Sequence, residues 1–121
     1  VPTYETIRLE RDGTTTRVTL CRPDIRNAFN EVMIRELREA FAGIEKDNDC
    51  RCVVLSGEGK SFCAGADLHW MGRVVNYGYE ENYQDSLALA KLMREIYDCR
   101  KPVIGRINGA AIGGGTGLVA V

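Results

Sequence analysis

The 121-residue sequence has one histidine, His69, three prolines, and five cysteines with no Cys-x-x-Cys pair among them. A metal site built on cysteine and histidine therefore lacks ligands at the usual spacing, and no metal is expected. Any Ser/His/Asp or Cys/His nucleophile would depend on His69 alone, and no G-x-S-x-G elbow accompanies it. His69 reads instead as a solvated loop residue. The odd cysteine set, Cys21, Cys50, Cys52, Cys63 and Cys99, reads as reduced thiols of a cytosolic (cytoplasmic) protein. No apolar run approaches membrane-spanning length. The opening Val1 to Glu10 is polar and alternating rather than basic then apolar, so neither a targeting nor a membrane segment is expected. An excess of one charge is missing too: 16 Lys and Arg face 17 Asp and Glu, interleaved, for a net charge of −1. Without a basic face for a phosphate backbone, nucleic acid is not an expected partner.

What is present is a 45% hydrophobic composition, enough for the core of one domain. Alternation in Tyr4 to Glu10 and Arg17 to Cys21 around Asp12-Gly13 predicts a β-hairpin. Arg22-Pro23-Asp24-Ile25-Arg26-Asn27 breaks that pattern as a loop. Asn30 is placed as the N-cap of a helix running to about Asp47, with Met33, Leu37, Ala40, Phe41 and Ile44 on its apolar face. The run Cys52 to Ser56 predicts a strand buried on both faces. A small-residue loop, Gly57 to Leu68, follows it. A second helix is predicted over Glu80 to Cys99, with Leu89, Leu92, Met93, Ile96 and Tyr97 inward, then a strand over Val103 to Ile107. Strands alternating with helices imply an α/β fold. Leu118 to Val121 would begin an apolar helix needing cover on most sides, so the chain is expected to be the front part of a longer protein.

Two glycine-containing loops leave strand ends, where ligands bind in α/β folds. Gly57-Glu58-Gly59-Lys60-Ser61 is not a phosphate-binding loop, because the first glycine that the pattern requires is Val54, within the strand. Gly113-Gly114-Gly115-Thr116-Gly117-Leu118 fails the dinucleotide fingerprint at its last position. Three consecutive glycines, a poor choice for a helix interior, have two readings: the backbone N–H groups are needed there, or the chain must pack tightly on a neighbour. Trp70 and Met71 read as packing a short helical turn or lining a pocket wall, and Lys60 and Arg73 as solvated or phosphate-facing.

The run Ser61-Phe62-Cys63-Ala64-Gly65-Ala66-Asp67-Leu68, followed by Asn108-Gly109-Ala110-Ala111-Ile112-Gly113-Gly114-Gly115, resembles the crotonase (enoyl-CoA hydratase/isomerase) superfamily. The resemblance covers the whole chain, as the N-terminal part of a single crotonase-like domain over residues 1–121, truncated before the C-terminal helical part. It implies a spiral of ββα units binding an acyl-CoA thioester, with coenzyme A arriving as part of the substrate and no separate cofactor. By position, Ala66 and Gly114 match the two backbone N–H donors that hold the thioester oxygen. Arg26 and Ala28 match the loop along the pantetheine and phosphate arm, though Arg26 also reads as simply solvated. Ala64, Asp67 and Leu68 match the wall around the adenine and thioester. The resemblance further implies trimers or pairs of trimers.

One departure stands out: Gly117 occupies the position where well-studied hydratases carry the first of two catalytic glutamates, and the second would fall beyond Val121. The segment from Ala66 to Met71, with Glu80-Glu81-Asn82 and Gly115 to Val119, is similar to methylglutaconyl-CoA and related branched glutaconyl-CoA hydratases, some of which also carry glycine there. The implied activity is hydration of a branched, acidic enoyl-CoA of leucine degradation or related fatty acid metabolism. The alternatives are an isomerase or other enolate-forming reaction on the same scaffold, and a catalytically silent acyl-CoA binder.

Overall fold

A computed structural model describes residues 3–121; Val1 and Pro2, the start of the polar opening stretch, lie outside the described residues. The strands are β1 (Ile7–Asp12), β2 (Thr15–Leu20), β3 (Cys52–Gly57) and β4 (Val103–Arg106); the helices are α1 (Glu31–Lys46), α2 (Leu68–Val74), α3 (Tyr79–Tyr97) and α4 (Gly114–Ala120). The four strands form one sheet in sequence order. β1 and β2 are the antiparallel hairpin, Ile7 opposite Leu20 and Leu9 opposite Val18. β2, β3 and β4 are parallel neighbours, so each return crossing carries helix: α1 between β2 and β3, α2 and α3 between β3 and β4. All three parallel strands therefore deliver their exit loops to the same edge of the sheet.

α1 forms where its sequence pattern puts it. Asn30 caps it, its side-chain oxygen accepting from Met33 N–H at 3.0 Å. Met33, Leu37, Ala40, Phe41 and Ile44 are all buried and join Val18, Leu20, Val53 and Leu55 in one core, each large side chain contributing roughly 1.5–3 kcal/mol. Leu92 and Ile96 bring α3 into that core, and Arg38 Nε to Glu95 Oε1 at 2.6 Å ties α3 to α1.

Several expectations need correction. β3 is not buried on both faces: Val53 and Leu55 are buried, while Cys52, Val54 and Ser56 between them are half-buried, because the core covers one face of the sheet. Tyr97 does not point inward; it is 65% exposed, with the Arg94 guanidinium 5.8 Å over its ring. On α4 only Gly115 and Leu118 are buried, and Val119 is 48% exposed. β1 begins at Ile7 rather than Tyr4, since the backbone just before it is engaged by a helix carboxylate. Glu36, buried on α1, accepts from Glu5 N–H and Thr6 N–H, both at 2.8 Å, and from the Thr6 hydroxyl. A buried carboxylate is tolerated when its lone pairs are filled in this way.

Glu36→Ala strands these donors, and the expected loss is about 1–3 kcal/mol of unfolding free energy, read from urea denaturation midpoints. Glu39→Ala, one turn away and exposed, serves as the comparison and is expected to change stability by less than about 0.5 kcal/mol.

Candidate active site

Three loops meet at the sheet edge: Arg22 to Asn30 after β2, Gly57 to Asp67 after β3, and Ile107 to Gly113 after β4. The middle loop runs as an irregular strand between its neighbours. Phe29 N–H donates to Gly65 O, and Asp67 N–H donates to Phe29 O, both at 2.8 Å, which pairs Phe29 with Ala66 in a parallel bridge. In a parallel bridge the residue supplying both bonds pairs with the two neighbours of its opposite number, so the opposite number's own N–H is turned away. Ala66 is that residue. A second bridge joins Cys63 to Ala111: Cys63 N–H donates to Ala110 O at 3.2 Å, and Ile112 N–H to Cys63 O at 3.0 Å.

The consequence is a pair of unspent donors. Among the described residues, neither Ala66 N–H nor Gly114 N–H has a hydrogen-bond acceptor. The two loops touch at Gly65, whose φ of +92° favours glycine; a Cβ there would lie 3.2 Å from Gly114 N and 2.8 Å from Ile112 O. The glycine run serves close approach as well. A Cβ on Gly114 would fall 2.4 Å from the buried Phe29 ring, and one on Gly115 would fall 2.3 Å from Cys63 O. Both readings of the glycine run therefore hold, at different positions: close packing at Gly114 and Gly115, and a free N–H on Gly114 itself.

The sequence-predicted residues gather around one cleft of about 480 Å³, lined by Arg26, Ala28, Ala64, Ala66, Asp67 and Leu68, with Asp24, Ile25 and His69. Gly114 lies outside this lining, against Gly65 next to the lining residues Ala64 and Ala66, and Gly117 also lies apart from it, beside Met93, where a Cβ would make ordinary contact at 3.4 Å. Arg26 is exposed with φ of +56° and offers its carbonyl to Ala64 N–H at 2.9 Å. Leu68 is 81% exposed. His69 is solvated, as expected, but stands in the first turn of α2 rather than in a loop. Trp70 packs edge-on against Phe29 with ring centroids 6.2 Å apart, while Met71 is half exposed.

Side chains that the sequence pattern did not single out do much of the positioning. Asn27, fully buried with φ of +57°, accepts from Arg22 N–H at 2.8 Å and donates to Glu58 O at 2.9 Å and Ser61 O at 3.0 Å. A Pro followed four residues later by Asn in a loop was the available signal, since asparagine tolerates the left-handed region. Cys63 is buried, its thiol donating to Asn27 O at 3.2 Å; burial pushes its pKa up, which disfavours the thiolate a nucleophile needs. Asp67 is also largely committed. Its carboxylate accepts from His69 N–H at 2.8 Å, capping α2, and pairs with Arg22 at 2.9 Å, while Arg22 Nη1 also donates to Ala28 O at 2.6 Å. Among the described residues, no group of three His, Cys, Asp or Glu side chains is arranged to hold a metal ion, and no helix is long and apolar enough to cross a membrane.

The model of the enoyl-CoA hydratase/isomerase family matches residues 10–121. A Thermus thermophilus protein provisionally named an enoyl-CoA hydratase is 44% identical over 96 residues, 79% of this chain and 38% of that protein. The mouse mitochondrial Delta(3,5)-Delta(2,4)-dienoyl-CoA isomerase is 40% identical over 114 residues, 85% of this chain and 34% of that protein. The crystal structure of an enoyl-CoA hydratase from Shewanella pealeana superposes with a TM-score of 0.92 at 36% identity, covering 95% of this chain and 43% of that one. The chain thus spans well under half the length of these relatives.

The Arg22–Asp67 pair yields a prediction with a definite sign. Burial works to raise the Asp67 pKa, but the His69 N–H and the Arg22 guanidinium outweigh it, and the carboxyl sits below its ordinary 3.8. A carboxylate held below its unfolded value stabilises the fold above that value, and the contribution is lost as pH falls through the folded one. Asp67→Asn is therefore expected to be destabilised at pH 7, with the gap to the parent protein closing as pH drops below 3.8. Urea midpoints across a pH series test this; a gap that stays constant down the acid limb contradicts it.

Proposed function

Because the chain belongs to the enoyl-CoA hydratase/isomerase family, we propose that it forms the thioester-activating part of an enzyme that adds water across the double bond of an α,β-unsaturated acyl-CoA. The observation that carries the reading is the pair of unpaired N–H groups, Ala66 and Gly114, on touching loops beside a cleft of about 480 Å³. Water adds to the β-carbon, electron density moves through the conjugated system onto the thioester oxygen, and a proton then reaches the α-carbon. Charge on that oxygen exists fully only in the enolate, so donors fixed in place beforehand stabilise the transition state more than the substrate. A single donor of this kind contributes about 3 kcal/mol. Their backbone origin matters here, because two bridges hold them and no side chain has to reorganise.

Along the cleft, Arg26 and Ala28 on one side and Ala64, Asp67 and Leu68 on the other are proposed to take the coenzyme A portion. Contacts from Asp67 are expected through its backbone and position, since its carboxylate is engaged by Arg22 and His69. We propose a branched, acidic acyl group such as 3-methylglutaconyl. The support is Gly117: it carries no side chain in the helix that starts at the second donor, and its nearest neighbour is the flexible thioether of Met93, 3.4 Å from where a Cβ would stand. The 40% identity to a dienoyl-CoA isomerase favours a second reading, double-bond migration through the same stabilised enolate.

The protein expressed from its complete reading frame is expected to bleach the enoyl-thioester absorbance of 3-methylglutaconyl-CoA, with slower loss of crotonyl-CoA. Bleaching of crotonyl-CoA alone rejects the branched substrate, and conversion of a 3,5-dienoyl-CoA without bleaching of either favours the isomerase. Replacing the amide that carries the Gly114 N–H by an ester removes that donor without touching a side chain. The expected result is a fall in kcat of roughly 10²–10³-fold.

A further inference from the structure

Besides the backbone bridge at Cys63 and Ala111, the Asn108 side chain ties the two donor loops together. Asn108 precedes the strand-like run Ala110 to Ile112 that leads to Gly114, yet its side chain reaches back to the other loop. Its Oδ1 accepts from Gly57 N–H at 3.0 Å, and its Nδ2 donates to Gly59 O at 2.8 Å and toward Ser61 O at 3.5 Å. The same Ser61 carbonyl accepts from Asn27 Nδ2 at 3.0 Å. Two carboxamides from opposite sides thus converge on one peptide group, at the entrance to the run that ends in Ala66. The next residue leaves no slack: Gly109 has φ of +129°, and a Cβ there would lie 2.0 Å from Lys60 O.

We propose that Asn108 is a positioning residue for the oxyanion hole, setting the separation of the Ala66 and Gly114 N–H groups; the inference rests on the reading of those two groups given above. Downstream of this grip the loops are joined by the Cys63–Ala111 bridge and by the contact at Gly65, and both inherit the register that Asn108 sets. Without the carboxamide, the Gly57 to Ser61 turn loses its side-chain bonds to the third loop and keeps those to Asn27 and the bond from Glu58 N–H to Leu20 O at 2.8 Å. The first donor loop is then hydrogen-bonded to the third only through Phe62 and Cys63, whose N–H groups donate to Ala110 O while Ile112 N–H donates to Cys63 O, and its entrance shifts relative to Gly114. Since N–H donors must lie about 2.7–3.1 Å from the oxygen they stabilise, a modest change in separation removes one of them from effective range.

The test uses the protein expressed from its complete reading frame and two variants. Asn108→Ala deletes the grip. Asn108→Asp is isosteric, keeps an acceptor for Gly57 N–H, and sets a carboxylate against the Gly59 and Ser61 carbonyls. Both are expected to lower kcat by roughly 10- to 100-fold with KM within about twofold, and to reduce the red shift of the thioester carbonyl stretch when an unreactive acyl-CoA is bound. Glu36→Ala, destabilised at a site remote from the cleft, is the comparator and keeps the parent kcat per folded molecule. A merely structural role overturns the proposal: it would leave carbonyl stretch and kcat of the folded Asn108 variants like those of the parent while lowering their unfolding midpoints. If the parent protein itself neither shifts the carbonyl nor turns over an enoyl-CoA, the oxyanion reading fails first and the inference falls with it.

Discussion

The cleft depends on one constraint: the segment from Phe62 to Asp67 must lie extended between two other loops, bonded to each by single bridges. Phe29 takes one side and Ala111 the other. Bridge geometry decides which amides are consumed and which are left, and it leaves Ala66 free. A regular four-residue ladder would have used the same N–H groups up, whereas an unstructured loop would have left them free but unaimed. The sheet beneath, with three parallel strands ending at one edge, brings the loops close enough for single bridges to form.

Glycine and alanine are the materials of this arrangement because the spacing leaves no room for anything else. Phe29 is the floor on which Gly114 rests, Cys63 O is the stop for Gly115, and Ile112 O and Gly114 N bracket Gly65. Larger side chains at these points would separate the loops. The buried polar residues Asn27 and Asp67 do the opposite task, filling their own hydrogen-bonding capacity with the backbone and side chains of neighbouring loops. The aromatic pair Phe29 and Trp70 then links the floor of the donor site to α2.

Much of this was legible in the sequence. The hairpin, α1 with its Asn30 cap, β3, α3 and β4 follow from periodicity and punctuation, because each buries a face with the matching repeat. The crotonase fold followed from two motifs in order, and the superposition with known structures bears it out. The residues Arg26, Ala28, Ala64, Ala66, Asp67 and Leu68, drawn from separate loops, do line one cleft. What escaped has a common physical cause. Glu36 sits on a helix and Asn27 and Asn108 in loops, and each looks solvated until a distant backbone supplies its partners; hydrogen bonds between residues 30 to 51 positions apart leave no local pattern. α2 was legible only as a short helical turn at Trp70 and Met71, because seven residues give too little periodicity to mark a helix. The half-covered state of β3 could not be read from its apolar run, which records what the strand tolerates rather than what lies over it.

The span of the loop contacts has a consequence for the order in which the molecule is built. Asn27, Ser61 and Asn108 belong to three successive strand exits, so the cleft closes only after β4 has docked, although β1, β2 and α1 can pair from nearby segments. Closing loops of this length costs chain entropy before the contacts return anything, which makes distant pairings late events. During synthesis, a chain that has emerged only as far as Tyr97 would hold most of its core residues and all partners of Asn27, yet Gly65 would lack Ile112 and Gly114 on its other side. The proposed oxyanion hole would then be completed in a single step, with the last strand and the glycines behind it.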